Sequence, residues 1–286
     1  NLDYLLNLQK LRLKYRKGIH LDTKYLKNKI LQKDLSYKNI YYEFMEYFRI
    51  KSKKEIWGEF AGLQWREIPL FINFFNRSKV IHIYRDPRAV LASWKKLSSI
   101  PNNAYLNCLF NWIDSTNYLI EFKRTLNQNV YYASKYEDIM NNPKQNVGKI
   151  IDFIGVKKEK ILFQPHKWPS SFNPQLVTVP KSAHDGDKIL GFSKKRINNW
   201  KNTLEDWEIA LVEFICSKNM NTLGYKKINN NLNESNKLIQ IAINKIKKNK
   251  FVLKNYNKFK KEGIGSNLYP MDPTDPRSWG QRSNPS

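Results

Sequence analysis

Apolar and polar positions change period several times along the chain, and the changes outline alternating helices and strands. Through residues 1–54 apolar side chains recur at helical spacing on a basic background, first Leu5, Leu8 and Leu11, then Tyr41, Phe44 and Phe48. The short run Ile56–Ala61 reads as a strand, and Trp65–Phe75 as an apolar-periodic helix. The β-branched run Val80–Tyr84 predicts a buried strand, followed by a helix over Arg88–Leu97 and a longer one over Leu106–Leu126 with Trp112, Leu119 and Phe122 on one side. A second strand is expected over Asn129–Lys135. Asn142-Pro143 then opens a helix that carries Val147, Ile150, Ile151 and Ile154 and ends at Gly155. Residues 164–192, punctuated by proline and glycine, read as loop, and helical patterns return over Ser193–Asn202 and Leu204–Met220. Strands alternating with helices predict an α/β fold with a parallel sheet covered on both faces.

The composition shifts after Lys226. Asn229-Asn230-Asn231 marks a linker, Ile239–Phe259 has the pattern of a lysine-studded amphipathic helix, and the tail from Gly263 lacks periodicity. The expected organisation is a main domain over 1–228 and a basic helix with a flexible, disordered tail over 229–286. The lysine helix has two readings: attachment to an anionic surface, or a solvated helix packed loosely on the domain.

The chemistry concentrates where the Val80–Tyr84 run ends, at Arg85-Asp86-Pro87-Arg88, with Ser93 in the following helix. Strand, sharp turn and helix build phosphate sites at the carboxyl edge of parallel sheets. Two arginines, Arg85 and Arg88, and a serine at that edge make an anion clamp, because a guanidinium fork matches phosphate oxygens and a hydroxyl adds a neutral donor. The competing reading is a buried strand capped by a surface turn, with Arg85 paired to a neighbouring acid.

Fifty Lys and Arg against 25 Asp and Glu give a net charge of +25 over 286 residues, which suggests an anionic partner such as a nucleotide, nucleic acid, acidic glycan or lipid headgroup. Lysine far outnumbers arginine, and Asn and Ile are abundant, so codon drift in an AT-rich genome accounts for the excess equally well. The two cysteines, Cys108 and Cys216, lack zinc-ligand spacing and read as buried thiols, with one disulfide as the alternative. No stretch reaches the length of a bilayer span, and no signal peptide is visible.

Three blocks follow one another, each at the end of a regular element: Arg85-Asp86-Pro87-Arg88 with Ser93, Tyr136-Glu137-Asp138, and Ser193-Lys194-Lys195-Arg196 with Trp200-Lys201. Together with the closing Leu223-Gly224-Tyr225, they resemble the sulfotransferase family over roughly residues 56–226. The resemblance implies a P-loop-NTPase-like parallel sheet flanked by helices. It also implies transfer of a sulfuryl group from 3′-phosphoadenosine 5′-phosphosulfate (PAPS) to a hydroxyl or amine, a carbohydrate among the candidates, with no metal. By the same resemblance Arg85 and Ser93 bind the 3′-phosphate of the co-substrate, Tyr136 touches the adenine, and Arg196 is a further phosphate contact. Glu137 and Asp138 are expected to cap the turn, and Trp200 to pack.

The family's Gly-rich loop carrying Arg-Ser-Gly-Thr, which cradles the 5′-phosphosulfate, is not found before Arg85, where the only glycines are Gly18, Gly58 and Gly62. Because the chain begins with Asn1 and not Met, the expectation is a sequence that starts just inside that loop; true loss is the alternative. Relatives place the general base on the strand before the arginine block. The corresponding stretch here is Trp57–Gly62, which makes Glu59 the candidate base; His184 and Asp185 are secondary candidates for the base or the acceptor pocket. The rival function class is a non-catalytic basic module that binds nucleotides, nucleic acid or polyanions, recognised by steep salt dependence and indifference to a 3′-phosphate. The expected partners are the nucleotide and an unidentified acceptor, with an anionic polymer or membrane surface in addition and no specific nucleic acid. The expected compartment is the bacterial cytoplasm, with the Golgi lumen as the alternative.

Overall fold

In the computed structural model, residues 1–17, 19–97, 103–167 and 192–266 are described. They divide into two compact units, the first ending at Gly62 and the second beginning at Leu63.

The first unit is helical: α1 (Leu2–Lys17), α2 (Thr23–Leu31) and α3 (Tyr37–Lys51). Asp22 caps α2 by accepting the Tyr25 N–H, and Ser36 caps α3 by accepting the Asn39 N–H, so each start is set by a side-chain oxygen. Leu6, Leu21, Leu26 and Ile30 form its core, against which Ile40, Phe44, Tyr47 and Phe48 pack. Ile56–Ala61 is not a strand, contrary to the sequence expectation. Ile56 and Phe60 face water, Phe60 being 96% exposed. A run this short is a strand only where a neighbour completes its ladder, and both strands of the described sheet pair only with each other.

The second unit opens with a single turn at Trp65–Glu67 that leads into α4 (Ile68–Phe74), with a proline in its first turn. Then come β1 (Val80–Tyr84), α5 (Pro87–Leu97), α6 (Cys108–Thr125), β2 (Tyr131–Lys135), α7 (Tyr136–Asn141) and α8 (Pro143–Ile154). Gly155, at φ 83°, ends α8 in the left-handed region that glycine enters without steric cost. The pairing of β1 with β2 is parallel, from Val80 opposite Tyr131 to Tyr84 opposite Lys135. The α/β class with a parallel, helix-flanked sheet is therefore as expected.

Short 3-10 turns at Lys194–Arg196 and Asn199–Asn202 replace the helix expected over 193–202. The pattern over 204–220 becomes two helices, α9 (Asp206–Ile215) and α10 (Ser217–Thr222). Glu205 and Glu208 form a reciprocal capping box at the start of α9.

The basic extension is helical but breaks in two, α11 (Lys237–Lys247) and α12 (Lys250–Glu262), because Asn249 caps a new start by accepting the Phe251 and Val252 N–H groups. Neither helix is loosely attached. Ala242, Ile246, Val252 and Tyr256 belong to the same core as Leu91, Phe110, Leu211 and Met220. The change of composition at 229 is thus a change of surface and not of core. The tail beyond Ser266 lies outside the described residues. Cys108 and Cys216 are buried free thiols, and among the described residues no helix is long and apolar enough to cross a membrane.

Candidate functional site

The register of the sheet builds the site. Because Tyr84 pairs with Lys135 in parallel strands, Arg85 and Tyr136 leave the same edge side by side, followed by Asp86 and Glu137. The two motif blocks that are about 50 residues apart in sequence meet here.

Beneath this edge lies a buried ionic frame. Asp86 caps α5 by accepting the Arg88 N–H at 2.9 Å, and its two oxygens take Nε and Nη2 of Arg88 at 3.0 and 2.7 Å. Nη1 of Arg88 reaches Glu213 of α9 at 2.7 Å, and its guanidinium lies 4.1 Å from the centre of the Trp200 ring. Glu213 is saturated by the N–H groups of Ile228 and Asn229 and the Asn229 side-chain amide. Arg88 is 4% exposed. Contrary to the sequence expectation of two clamp arginines, it is therefore a structural tie between the end of β1, α9 and the turn that carries Trp200, its guanidinium being spent on Asp86 and Glu213. Trp200 packs, as expected.

Glu137 is buried and works as a second tie. One oxygen accepts the Asp86 N–H at 2.9 Å, and the other accepts the Tyr225 hydroxyl at 3.1 Å. Burial, reinforced by the Glu137 charge, pushes the Tyr225 phenol far above its ordinary range, so it remains a donor. The turn-capping role expected of Glu137 is what the geometry shows, whereas Asp138 is exposed.

Arg85 is held differently. Its guanidinium lies 4.4 Å over the Tyr136 ring, Nη2 donates to the Arg196 carbonyl at 2.5 Å, and its own carbonyl accepts the Trp112 indole N–H at 2.9 Å. Its Nε is buried without a hydrogen-bond partner. A buried N–H without an acceptor is costly, which sets Arg85 apart from the fully paired Arg88. Of the residues singled out from sequence, Arg85, Tyr136 and Arg196 are thus brought together. Arg196 joins through its backbone carbonyl, which the sequence reading of its side chain did not anticipate. Ser93 stands two turns along α5, half-buried, outside the contacts that join these three.

Glu59 belongs to the first unit. It is exposed, accepts a short hydrogen bond from the Tyr41 hydroxyl, and Tyr41 itself touches Trp57 edge-on. Burial first and the Glu59 hydrogen bond second raise the Tyr41 phenol above its ordinary range. His184 and Asp185 lie outside the described residues. Among the described residues no cluster of three or more His, Cys, Asp or Glu side chains is arranged to hold a metal ion.

Sequence reasoning missed Arg88 with Glu213 as a frame. The signal was present in Glu213 itself, an acid inside the apolar run Ile209–Ile215, where burial demands a cationic partner.

Two parallel strands, each followed at its carboxyl end by a helix, define an α/β protein. A model of the sulfotransferase family matches residues 8–160, and the chain belongs to that family. Two solved structures are similar. The sulfotransferase domain from the curacin biosynthetic pathway is 18% identical, with a TM-score of 0.51, over 77% of this chain and 79% of its own. The sulfotransferase domain from the Synechococcus PCC 7002 olefin synthase is also 18% identical, with a TM-score of 0.53, over 75% of this chain and 74% of its own. At that identity the two structures speak to the fold.

Proposed function

We propose that the protein transfers a sulfuryl group from PAPS to a hydroxyl or amine acceptor, carbohydrate hydroxyls being the first class to test. The observation that carries this reading is the buried, unpartnered Nε of Arg85, at the strand edge where the family match and the anion chemistry coincide. Arg85 supplies the donor for the 3′-phosphate, Ser93 a second one from α5, and Tyr136 and the Arg196 segment hold the guanidinium in place.

In the reaction, the acceptor oxygen attacks sulfur in line. The bond between sulfur and the bridging oxygen of the 5′-phosphate breaks, 3′-phosphoadenosine 5′-phosphate leaves, and the acceptor proton passes to a base. We assign the base role to Glu59, a carboxylate whose candidacy rests on its place in the sequence. The residues described here fit the 3′-phosphate end of the nucleotide, and what they contribute is positioning and charge neutralisation.

Titration calorimetry with 3′-phosphoadenosine 5′-phosphate and with adenosine 5′-phosphate tests the reading. The expected result is a strong preference for the 3′-phosphorylated nucleotide that Arg85→Ala abolishes. Equal affinity for the two, with binding that collapses as salt rises, would instead identify a basic module without a nucleotide-reading site.

A further inference from the structure

The segment Lys237–Lys261 contains nine lysines and no acidic residue. Its apolar side is already used: Ile239, Ala242 and Ile246 of α11 and Val252 and Tyr256 of α12 are buried. What remains outside is a charged face. Lys250, Lys254, Lys258 and Lys261 follow one another at helical spacing along α12, a stripe about 16 Å long at the usual rise per residue. Lys247 and Lys248 extend it from the end of α11, and all six side chains are exposed. Among the described residues, the only acid paired with any of the six is Glu262, at 3.9 Å from Lys258. Lys260, off the stripe, is neutralised by Glu234 at 2.7 Å.

Two details decide what such a face fits. Phe251 is 38% exposed, and it shares its side of α12 with Lys254 and Lys258. A soluble polyanion leaves that ring in water, whereas a bilayer interface takes it in beside the headgroups. The cations are all lysines, and no arginine occurs between 197 and 266. Arginine is the side chain for bidentate reading of a particular phosphate. A row of ammonium point charges suits a laterally averaged negative surface. Because the apolar side of both helices is committed to the core, the helices cannot insert, and attachment is through the lysine face with Phe251 as its one apolar contact.

We infer that the α11–α12 face docks the protein on an anionic phospholipid surface. This goes beyond the sulfuryl-transfer reading and does not depend on it. The test is sedimentation of the full chain with vesicles of phosphatidylcholine alone and with vesicles containing phosphatidylglycerol, with heparin as a soluble polyanion for comparison. Binding is expected only to the anionic vesicles and to weaken with salt. Replacing Lys250, Lys254, Lys258 and Lys261 by glutamine lowers it by roughly several hundredfold, at roughly fivefold per lysine. Phe251→Ser lowers vesicle binding severalfold and leaves heparin binding unchanged. A control that removes the same charge from exposed lysines of the first unit (Lys10, Lys24, Lys38 and Lys54 to glutamine) retains vesicle binding. Equal loss in the two fourfold variants would make the effect one of net charge and overturn the inference. Binding to heparin without binding to anionic vesicles would overturn it in favour of a polyanion.

Discussion

The guanidinium of Arg85 lies 4.4 Å over the ring of Tyr136, and the same arginine donates to the Arg196 carbonyl. One face of the Tyr136 ring is therefore occupied by the side chain that presents the free Nε. In the proposed sulfuryl transfer, Tyr136 would act first on Arg85, as a positioning residue, with only its remaining surface open to an adenine.

This relationship separates two roles that the motif alone leaves joined. Tyr136→Phe keeps the stacking ring and is expected to bind 3′-phosphoadenosine 5′-phosphate as the parent does. Tyr136→Leu removes the cation–π contact, and the dissociation constant is expected to rise about tenfold, within the range of such contacts. The check is calorimetry with a second ligand, a ribose 3,5-bisphosphate without the base. If Tyr136 orients Arg85, the Leu variant loses affinity for both ligands. Loss confined to the nucleotide would make the ring an adenine contact instead.

Arg88 carries the opposite expectation, an effect on stability before any effect on binding. Arg88→Met leaves the carboxylates of Asp86 and Glu213 buried without their cation, which costs about 3–5 kcal/mol for a pair broken from one side. Arg88→Lys restores one charge but cannot fork to Asp86 while also reaching Glu213, so it recovers part of the loss. Urea unfolding followed by circular dichroism reads both. An Arg88→Met midpoint equal to that of the parent would show that the frame does not hold β1 to α9.

These contrasts mark how far the sequence could be read. The β-branched run ending at Arg85, with Pro87 ready to open a helix, identifies the strand–turn–helix edge because each signal is local. Glu137 as a turn cap comes from the family resemblance, since its partners Asp86 and Tyr225 are far from it in sequence. Arg88 with Glu213, 125 residues apart, was not, because nothing local says which cation meets a buried acid. Ile56–Ala61 misled because strand propensity without a neighbouring strand carries no ladder. The pattern over Ile239–Phe259 reads as one helix because its apolar periodicity does not show the break, which Asn249 makes by capping α12. The burial of its apolar side was readable only as amphipathicity, which does not distinguish a protein core from a membrane.

His82 sets a dependence of stability on pH. In β1 its Nδ1 lies 2.8 Å from the Tyr131 hydroxyl and its Nε2 3.0 Å from the Ser115 hydroxyl, so both ring nitrogens are satisfied in the neutral form. Burial lowers its pKa from 6.5 to about 4. Between those values the unfolded chain binds the proton and the folded one does not. The contribution is therefore complete above pH 6.5 and is lost as the pH falls towards 4. Moving from about pH 7 to about pH 5 should remove on the order of 2 kcal/mol, a loss that His82→Gln abolishes. Denaturant midpoints for the two proteins across this range check it, and parallel pH profiles would mean that His82 is not the group responsible.

The end of the described chain provides the sharpest steric test. After α12, Gly263 turns in the left-handed region and Gly265 lies directly on α6. A Cβ built at Gly265 would meet the Phe110 carbonyl oxygen at 2.2 Å and the Asp114 nitrogen at 2.4 Å, both of them backbone atoms that cannot rotate away. The neighbouring Ser266 N–H donates to that same Phe110 carbonyl at 3.0 Å, and its hydroxyl donates to Asn255 at 3.1 Å. Gly265→Ala must therefore lift this segment from α6 and give up both bonds, at a cost of about 1–3 kcal/mol, typical of overpacking a filled site. Gly58→Ala is the matched control, since a Cβ there meets nothing within 4 Å. Thermal unfolding should separate the two by several degrees, and hydrogen exchange in Gly265→Ala should rise at Ser266 while the β1–β2 ladder stays protected. Identical melting of the two variants would show that the Gly265 segment does not rest on α6 in solution.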